Sequence, residues 1–459
     1  MHLAVIVLAA GKGTRMKSEQ PKVLHRACGR SLLGWALAAA EPLNADETVV
    51  VTGHGADDVV VSLPDGTVGV VQEPQLGTGD AARVGFGACG SGVETVLVIL
   101  GDMPLLRPDT LQAVLDTHHA EQAAVTLLTA IFQDPTGYGR VVRENGQVVR
   151  IVEERDADAE QRAIREMNVS VYAFDAAILD DVLGRLRSDN EQGEFYLTDV
   201  IGILAGDGQR IASVVTDERE CVGVNSHADL ALVSRVLRHR INESLMQDGV
   251  AMLDPDRVYI DFGVEVGAGA RIYPDVYLQG TTMIEGGAEV GPNVHARDTS
   301  IASGATVRYS VLDRASVGPD AIVGPYTHLR PGADLGVASK AGSFVEVKNS
   351  QIGTRSKVPH LSYIGDTTIG EESNIGAGTI TANYNGFEKN RTEIGDRVLI
   401  GSDTILVAPV SVGDDAYTGA GSVISSDVSP GALALERSLQ EEIPGYAERR
   451  KRRASEDGE

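Results

Sequence analysis

The chain has 459 residues, 52 of them glycine, with 42% hydrophobic and 4% aromatic content and a formal net charge of −25. Its length predicts two or three domains of about 100–200 residues each, and its acidity argues against nucleic acid as a partner, because a phosphate backbone demands basic surface. Three scattered cysteines, Cys28, Cys89 and Cys221, predict a reducing, cytoplasmic setting without a disulfide framework, and no run of about 18 apolar residues is present to span a membrane.

Leu3 to Ala9 is a continuous apolar run, as in a parallel strand covered on both faces. It lacks the basic leader of a signal peptide and reads as a first strand. It ends in Ala9-Ala10-Gly11-Lys12-Gly13-Thr14-Arg15-Met16. Small residues there let backbone amides approach an anion, which Lys12 and Arg15 can neutralise. A glycine turn that binds nothing fits the same string, and Gly13 after Lys12 departs from the GxxxxGKS/T loop. Lys22, in Pro21-Lys22-Val23-Leu24, is a second phosphate candidate or a solvated lysine. Ser31–Ala40 has helical spacing. Thr48–Val51 and Val68–Val71 read as buried strands, and Val96–Leu100 as a further one. Strands alternating with helices imply an open α/β sheet, whose ligands lie beyond the carboxyl ends of the strands. The glycine loop, Gln72 with Gly77-Thr78, and Asp102 all fall there. Asp102 suits Mg²⁺, which takes one or two carboxylates plus phosphate oxygens; it equally suits a cap on the turn before Pro104.

Ser226 with Asp229 resembles a capping box. Leu230, Val233, Leu237, Ile241 and Leu245 then form one helical stripe, which Gly249 closes. This predicts a linker helix over 226–249, an arm of about 30 Å that holds two domains apart. Arg235, Arg238, His239 and Arg240 are expected on its solvated face.

From Val264 to Ile424 the pattern changes to a period of six. Aliphatic residues recur at Val266, Ile272, Leu278, Ile284 and Val290, again at Val317, Val323, Leu329 and Leu335, and later at Ile394, Ile400, Leu406 and Val412. A period of six is neither helical nor the alternation of a strand pair. It suits a short strand, a tight turn and the next strand, three to a triangular coil, with coils stacked into a parallel β-helix. Residues 264–316 read as scaffold. The register breaks between Ile380 and Ile394, so Thr381-Ala382-Asn383-Tyr384-Asn385-Gly386 is expected to loop outward onto a binding face. In coils of about eighteen residues, Arg330 and Lys348 share a station on adjacent coils, and two stacked cations make an anion site. His360 and Tyr363 lie close at a corner. Acyl transfer to an amine needs the amine uncharged, and histidine is the natural base near neutral pH. His360 has that company; His54, His295 and His328 read as structural. Residues 441–459, basic and then acidic, are expected to be disordered.

Several strings occur together and in order: LAAGKGTRM (8–16), PKVL (21–24), QLGTG (75–79), Gly101-Asp102, GYGR (137–140), IVEE (151–154), YLTD (196–199) and Gly223-Val224-Asn225. In that order they resemble the sugar-nucleotide pyrophosphorylases. With the coil behind them, over about residues 1–440, they resemble more narrowly the GlmU family, in which N-acetylglucosamine-1-phosphate uridyltransferase is fused to glucosamine-1-phosphate N-acetyltransferase. The resemblance implies a Rossmann-like nucleotidyltransferase domain over 1–225, the linker helix over 226–249 and a left-handed β-helix acetyltransferase domain over 250–440. It also implies synthesis of UDP-N-acetylglucosamine for cell-envelope precursors by a homotrimer using Mg²⁺, acetyl-CoA and UTP. By the same resemblance Leu8, Ala9, Ala10 and Gly11 line the uridine and phosphate pocket, Arg15 and Lys22 act on the triphosphate, and Gln72, Gly77 and Thr78 read the uracil. Asp102 and Asn225 hold the metal, and Gly139, Glu153 and Asn168 contact the N-acetylated sugar. In the coil, His360 is the general base, and Arg330, Lys348, Tyr363 and Asn374 surround glucosamine 1-phosphate. Ala377, Asn383, Tyr384, Ser402, Ala420 and Arg437 lie along acetyl-CoA. Leu100 stands where some members have Tyr, and Gly419 where some have Ala.

Two further readings fit parts of the chain. One is a monofunctional pyrophosphorylase whose coil only drives oligomerisation, against which the polar residues of 330–402 argue. The other is a regulatory subunit of this two-part architecture, which has no need to keep Arg15, Lys22 and Asp102 together.

Overall fold

Leu3–Leu8 is buried at every position and lies in the interior of a mixed sheet, as an apolar run without alternation requires. The computed structural model that shows this describes residues 2–456. It divides between Ile241 and Asn242 into two units. Across the sheet of the first unit the strands run Ile211–Thr216, Val125–Ile131, Glu166–Asp175, Thr95–Leu100, Leu3–Leu8, Glu47–Thr52 and Thr67–Val71. Glu166–Asp175 is antiparallel to both neighbours, and a hairpin, Arg140–Glu144 with Gln147–Val152, joins it at Met167. Helices cover both faces, giving two apolar layers centred on Val5, Val7 and Leu97 and on Ile6, Val96 and Val98. Ser31 caps the helix Leu32–Ala40 by accepting from the Gly34 amide at 3.0 Å.

Thr67–Val71 is not a buried strand: it is the sheet edge, with Val68 48% and Val71 50% exposed. Its Val-rich composition reflects pairing with one neighbour rather than cover on both faces. The helix His227–Gln247 starts at the expected capping box, in which Ser226 Oγ accepts from the Asp229 amide and Asp229 accepts from the Ser226 amide. Val233 and Leu237 are packed with Met16, Leu32 and Leu105, so its N-terminal part belongs to the core of the first unit. Arg240 is no surface residue either: it is half-buried and donates to the Leu105 carbonyl at 2.8 Å.

The second unit is a prism of three parallel sheets with eleven, ten and nine strands. The aliphatic stations point inward and are buried, from Ile272 and Leu278 to Ile400 and Leu406. Ala296, Ile301, Val307 and Leu312 continue the series where the six-residue spacing lapses. Their coils are shorter: Ala296 pairs with Leu312, sixteen residues on, whereas Val266 pairs with Ile284, eighteen on. The interrupted coil is longer, since Thr368 pairs with Glu393 and Ile375 with Ile400. The excursion begins later than the pattern implies. Thr381 is fully buried and paired with Leu406, Asn383 is 8% exposed, and only from Tyr384 to Lys389, which pair antiparallel, does the chain leave the prism. Threonine takes an aliphatic station there by directing its hydroxyl to backbone groups, donating to the Gly365 carbonyl at 3.2 Å.

Residues expected to be disordered include a helix, Tyr446–Glu456, exposed along its length. Ala, Arg, Lys and Glu are strong helix formers, and Glu448 precedes Arg452 by one turn. Residues 457–459 lie outside the described ones.

Candidate functional site

The strands Leu3–Leu8, Glu47–Thr52 and Thr95–Leu100 end side by side, and a cleft of about 1080 Å³ opens at their carboxyl ends. Leu8, Ala9, Ala10, Gly11, Lys22, Gln72, Gly77, Thr78 and Asp102 all line it. Lys12, expected to neutralise an anion at the glycine loop, lines it too, as does Glu194, of which the sequence implies no site role. Arg15 does not line it: the residue is exposed on the short turn Thr14–Met16, which Met16 anchors in the core.

Lys22 Nζ contacts the Asp102 carboxylate and donates to Asn225 Oδ1 at 3.2 Å. The Asn225 loop is tied down where Val224 N–H donates to the Asp102 carbonyl at 3.0 Å. Two hard oxygen donors thus converge on one cation, an arrangement that fits Mg²⁺ completed by phosphate oxygens. Among the described residues no cluster of three His, Cys, Asp or Glu side chains offers a metal an alternative.

Gln72 is 4% exposed, and both hydrogens of its amide are engaged. Nε2 donates to the Gly77 carbonyl at 3.0 Å and to Asp80 at 2.7 Å, leaving Oε1 as an acceptor. Asp80 is a buried partner that no motif singles out. Gly77 has φ 112, and a Cβ there would meet the Phe195 carbonyl at 2.6 Å, so glycine is required. The YLTD string explains itself at this point. Leu197 N–H donates to Thr78 Oγ1 at 3.1 Å, and Thr198 Oγ1 donates to Glu153 at 3.0 Å. It therefore joins the cleft wall to a second cluster, where a Cβ on Gly139 would lie 3.5 Å from the Glu153 carboxylate and Asn168 N–H donates to the Gly139 carbonyl at 2.9 Å. Burial, then the charges of Asp199 and Asp156, push the Glu153 carboxyl above the ordinary range despite the Thr198 hydrogen bond.

On the prism, His328 pairs with Glu346 and Leu329 with Val347, so Arg330 and Lys348 fall on neighbouring coils in register. Arg330 donates to Glu346 at 2.8 Å and Lys348 to Asp366 at 3.4 Å. Burial opposes ionisation of Asp366, but hydrogen bonds from Asn349 and Asn383 and the charge of Lys348 hold its pKa down. Lys389, which no spacing argument reaches, arrives from the excursion to abut Lys348; that hydrogen-bonding contact and the like charge lower its own pKa. Tyr363 lies over Gly365, where a Cβ would meet its hydroxyl at 2.5 Å, and the phenol reaches toward Asn383. Three cations and a phenol thus share one face with two carboxylates, an arrangement suited to an anion.

His360 is exposed at the end of the strand Lys357–His360. Above it runs a column. The His360 carbonyl accepts from Gly378 at 3.4 Å, that of Ala377 from Asp403 at 2.7 Å and that of Ser402 from Gly421 at 2.8 Å. The Ala420 carbonyl accepts from the Arg437 guanidinium at 3.1 Å. His360, Ala377, Ser402, Ala420 and Arg437 therefore climb one edge, about 4.8 Å per coil. Asn374 pairs with Lys357, on the sheet of His360, while Lys348 and Tyr363 lie on the next sheet. Tyr384 stays 63% exposed on the excursion.

Comparison with known proteins agrees with this division. Residues 5–170 match the MobA-like NTP transferase domain, and residues 391–426 match the bacterial transferase hexapeptide (six repeats). The chain is 50% identical over 455 residues to the bifunctional protein GlmU of Streptomyces avermitilis, and equally so to that of Streptomyces coelicolor. In both, 98% of this chain and 94% of the relative are covered. It is 47% identical to the Corynebacterium aurimucosum GlmU over 459 residues, with the same coverage. With a Rossmann-like nucleotidyltransferase unit followed by a left-handed β-helix of hexapeptide repeats, the chain belongs to the bifunctional GlmU family.

Proposed function

We propose that the chain makes UDP-N-acetylglucosamine in two steps, one on each unit. The prism acetylates glucosamine 1-phosphate from acetyl-CoA, and the sheet unit then joins the product to the uridylyl group of UTP. What supports this reading is that each unit gathers charged groups of its own: Lys22 with Asp102 and Asn225 in the cleft, and Lys348 with Arg330 and Lys389 on the prism, which also carries His360.

In the acetyl step the sugar phosphate sits on Arg330, Lys348 and Lys389, with Tyr363 beside it. The sugar amine attacks the thioester carbonyl, His360 takes the proton released from nitrogen, the C–S bond breaks, and the thiolate takes up that proton to leave as the thiol of CoA. The column of Ala377, Ser402 and Ala420 gives the CoA arm a track from His360 up to Arg437, about 19 Å long at about 4.8 Å per coil, and Asn383 and Tyr384 flank it.

In the uridylyl step the cleft aligns two anions, and alignment with charge neutralisation supplies most of the acceleration. Gln72 offers Oε1 to the uracil imide N–H, with Gly77 and Thr78 alongside. The backbone of Leu8, Ala9, Ala10 and Gly11 follows the ribose and phosphates. A sugar-phosphate oxygen forms the new P–O bond at the α-phosphorus, and the bond to pyrophosphate breaks; Lys22 and Lys12 neutralise the leaving charge, with Arg15 outside the cleft wall. Gly139, Glu153 and Asn168 hold the sugar. Asp102 and Asn225 would hold Mg²⁺, which supplies charge neutralisation across the phosphates when bound. No general base is needed, because the nucleophilic phosphate is already ionised.

A homotrimer is supported by the hexapeptide repeats and by a ridge of exposed apolar side chains, Tyr309, Tyr326, Phe344 and Leu361, at successive corners of the prism. Cytoplasmic residence is supported by three cysteines that form no disulfide; among the described residues no helix is long and apolar enough to cross a membrane.

The test omits UTP first. Purified protein with glucosamine 1-phosphate and acetyl-CoA should release CoA thiol, and with UTP and N-acetylglucosamine 1-phosphate should release pyrophosphate. Pyrophosphate without thiol would reduce the prism to a scaffold.

A further inference from the structure

The strand Glu166–Asp175 is interrupted. Asn168 pairs with Thr129 and Tyr172 with Leu127, so three residues of one strand oppose a single residue of the other. Ser170, at the apex, has φ 58, a left-handed conformation uncommon for a residue with a side chain. Bulges bend a strand and re-aim its side chains. This one brings two residues four apart into contact: Asn168 Nδ2 donates to Tyr172 Oη at 2.7 Å and to Ser170 Oγ at 3.3 Å. The Ser170 amide donates back to Asn168 Oδ1 at 3.3 Å. Asn168 is 4% exposed and Tyr172 wholly buried. Burial raises the Tyr172 pKa far above its ordinary value, so the phenol stays neutral. Both amide hydrogens of Asn168 are thus engaged inside the protein. What remains for a ligand is one lone pair of Oδ1, an acceptor.

We infer that Tyr172, with Ser170, is a positioning residue for the sugar pocket: it locks the Asn168 amide so that only its oxygen faces substrate, selecting a sugar with an N–H donor at carbon 2. The inference rests on the proposed reading of Asn168 as a sugar contact. A site built around a fixed acceptor rejects an analogue that lacks the donor, because the buried oxygen is then left unpaired.

The experiment is steady-state kinetics of the uridylyl step on full-length Tyr172→Phe, with N-acetylglucosamine 1-phosphate and with 2-deoxyglucose 1-phosphate, which has no donor at carbon 2. The KM for the N-acetylated sugar should rise about tenfold, the worth of one buried hydrogen bond. kcat and the KM for UTP should change far less, and the preference over the deoxy sugar should shrink by a similar factor. Ser170→Gly keeps a left-handed apex while removing the hydroxyl, and should move the same constants in the same direction by less. Asn168→Ala tests the underlying reading. A normal sugar KM in Tyr172→Phe, with a raised one in Asn168→Ala, overturns the positioning role alone. Normal values in both overturn the reading of Asn168 and the inference with it. Equal rises in the KM for UTP and sugar would make Tyr172 a general structural residue, again against the inference. If Tyr172→Phe does not fold, an unchanged sugar KM in Ser170→Gly overturns it.

Discussion

The two units assemble polar sites in opposite ways. The sheet unit draws its groups from loops far apart in sequence into a single cleft: Lys22 and Asn225 meet across 203 residues. The prism lays its groups out one per coil, with Arg330 and Lys348 half-buried in register and Lys389 exposed on the excursion. Charges in a half-closed cleft act through less solvent than charges on an open face, so each group there carries more of the work. Removing one group should therefore cost more in the cleft than on the prism, except where the prism group takes part in bond making.

The largest effect is expected from Asp102→Asn, which unseats both Lys22 and the cation position. Uridylyl transfer should fall by about a thousandfold or more, with thiol release from acetyl-CoA unchanged in the same preparation. His360→Ala should reverse the pattern, lowering thiol release by about 10²–10³-fold while pyrophosphate release stays normal. Lys389→Ala, on the open face, should act mainly on binding: the KM for glucosamine 1-phosphate should rise about tenfold, with a smaller change in kcat and none in the KM for acetyl-CoA. An equal loss from Lys389→Ala and Asp102→Asn would break the contrast between cleft and face.

A separate effect concerns stability rather than activity. His118 is buried, with Nδ1 3.3 Å from Thr126 Oγ1; desolvation, then the charge of His119, lower its pKa to about 4. An unfolded histidine titrates near about 6.5. Between those values the unfolded chain binds more protons, so the stability of the sheet unit should fall as pH drops from about 6.5 to about 4, by on the order of 3 kcal/mol, and no further from this group below that. Thermal unfolding of the sheet unit across that range checks it, and His118→Gln should flatten the dependence.

How much could be read beforehand follows the same contrast. A prism repeats, so a spacing of eighteen was enough to pair Arg330 with Lys348. Where coils shorten to sixteen residues, as from Ala296 to Leu312, the period dissolves and the stations become visible only in three dimensions. Lys389 was invisible because the excursion that carries it has no register, and Thr381 misled because a threonine can fill an aliphatic station. In the sheet unit the ends of strands pointed to Gln72 and Asp102, but their partners did not declare themselves. Asp80, which orients Gln72, and the Leu197-Thr198 pair, which connects Thr78 to Glu153, depend on tertiary packing. Arg15 is expected at the triphosphate from its place in a motif, and the turn that buries Met16 leaves its side chain exposed. Val68–Val71 looked buried because β-branched residues suit an edge strand as well as a central one.

In the proposed reading the two activities have separate sites, one served by each unit. That separation is tested most directly by mixing equal amounts of Asp102→Asn and His360→Ala chains, each inactive in the two-step reaction. The mixture is given glucosamine 1-phosphate, acetyl-CoA and UTP, and formation of UDP-N-acetylglucosamine is followed. Restored synthesis is the predicted result, because each variant retains the site the other lacks and the N-acetylated intermediate passes between them. No product from the mixture, with each single reaction still present in its own variant, would contradict the account.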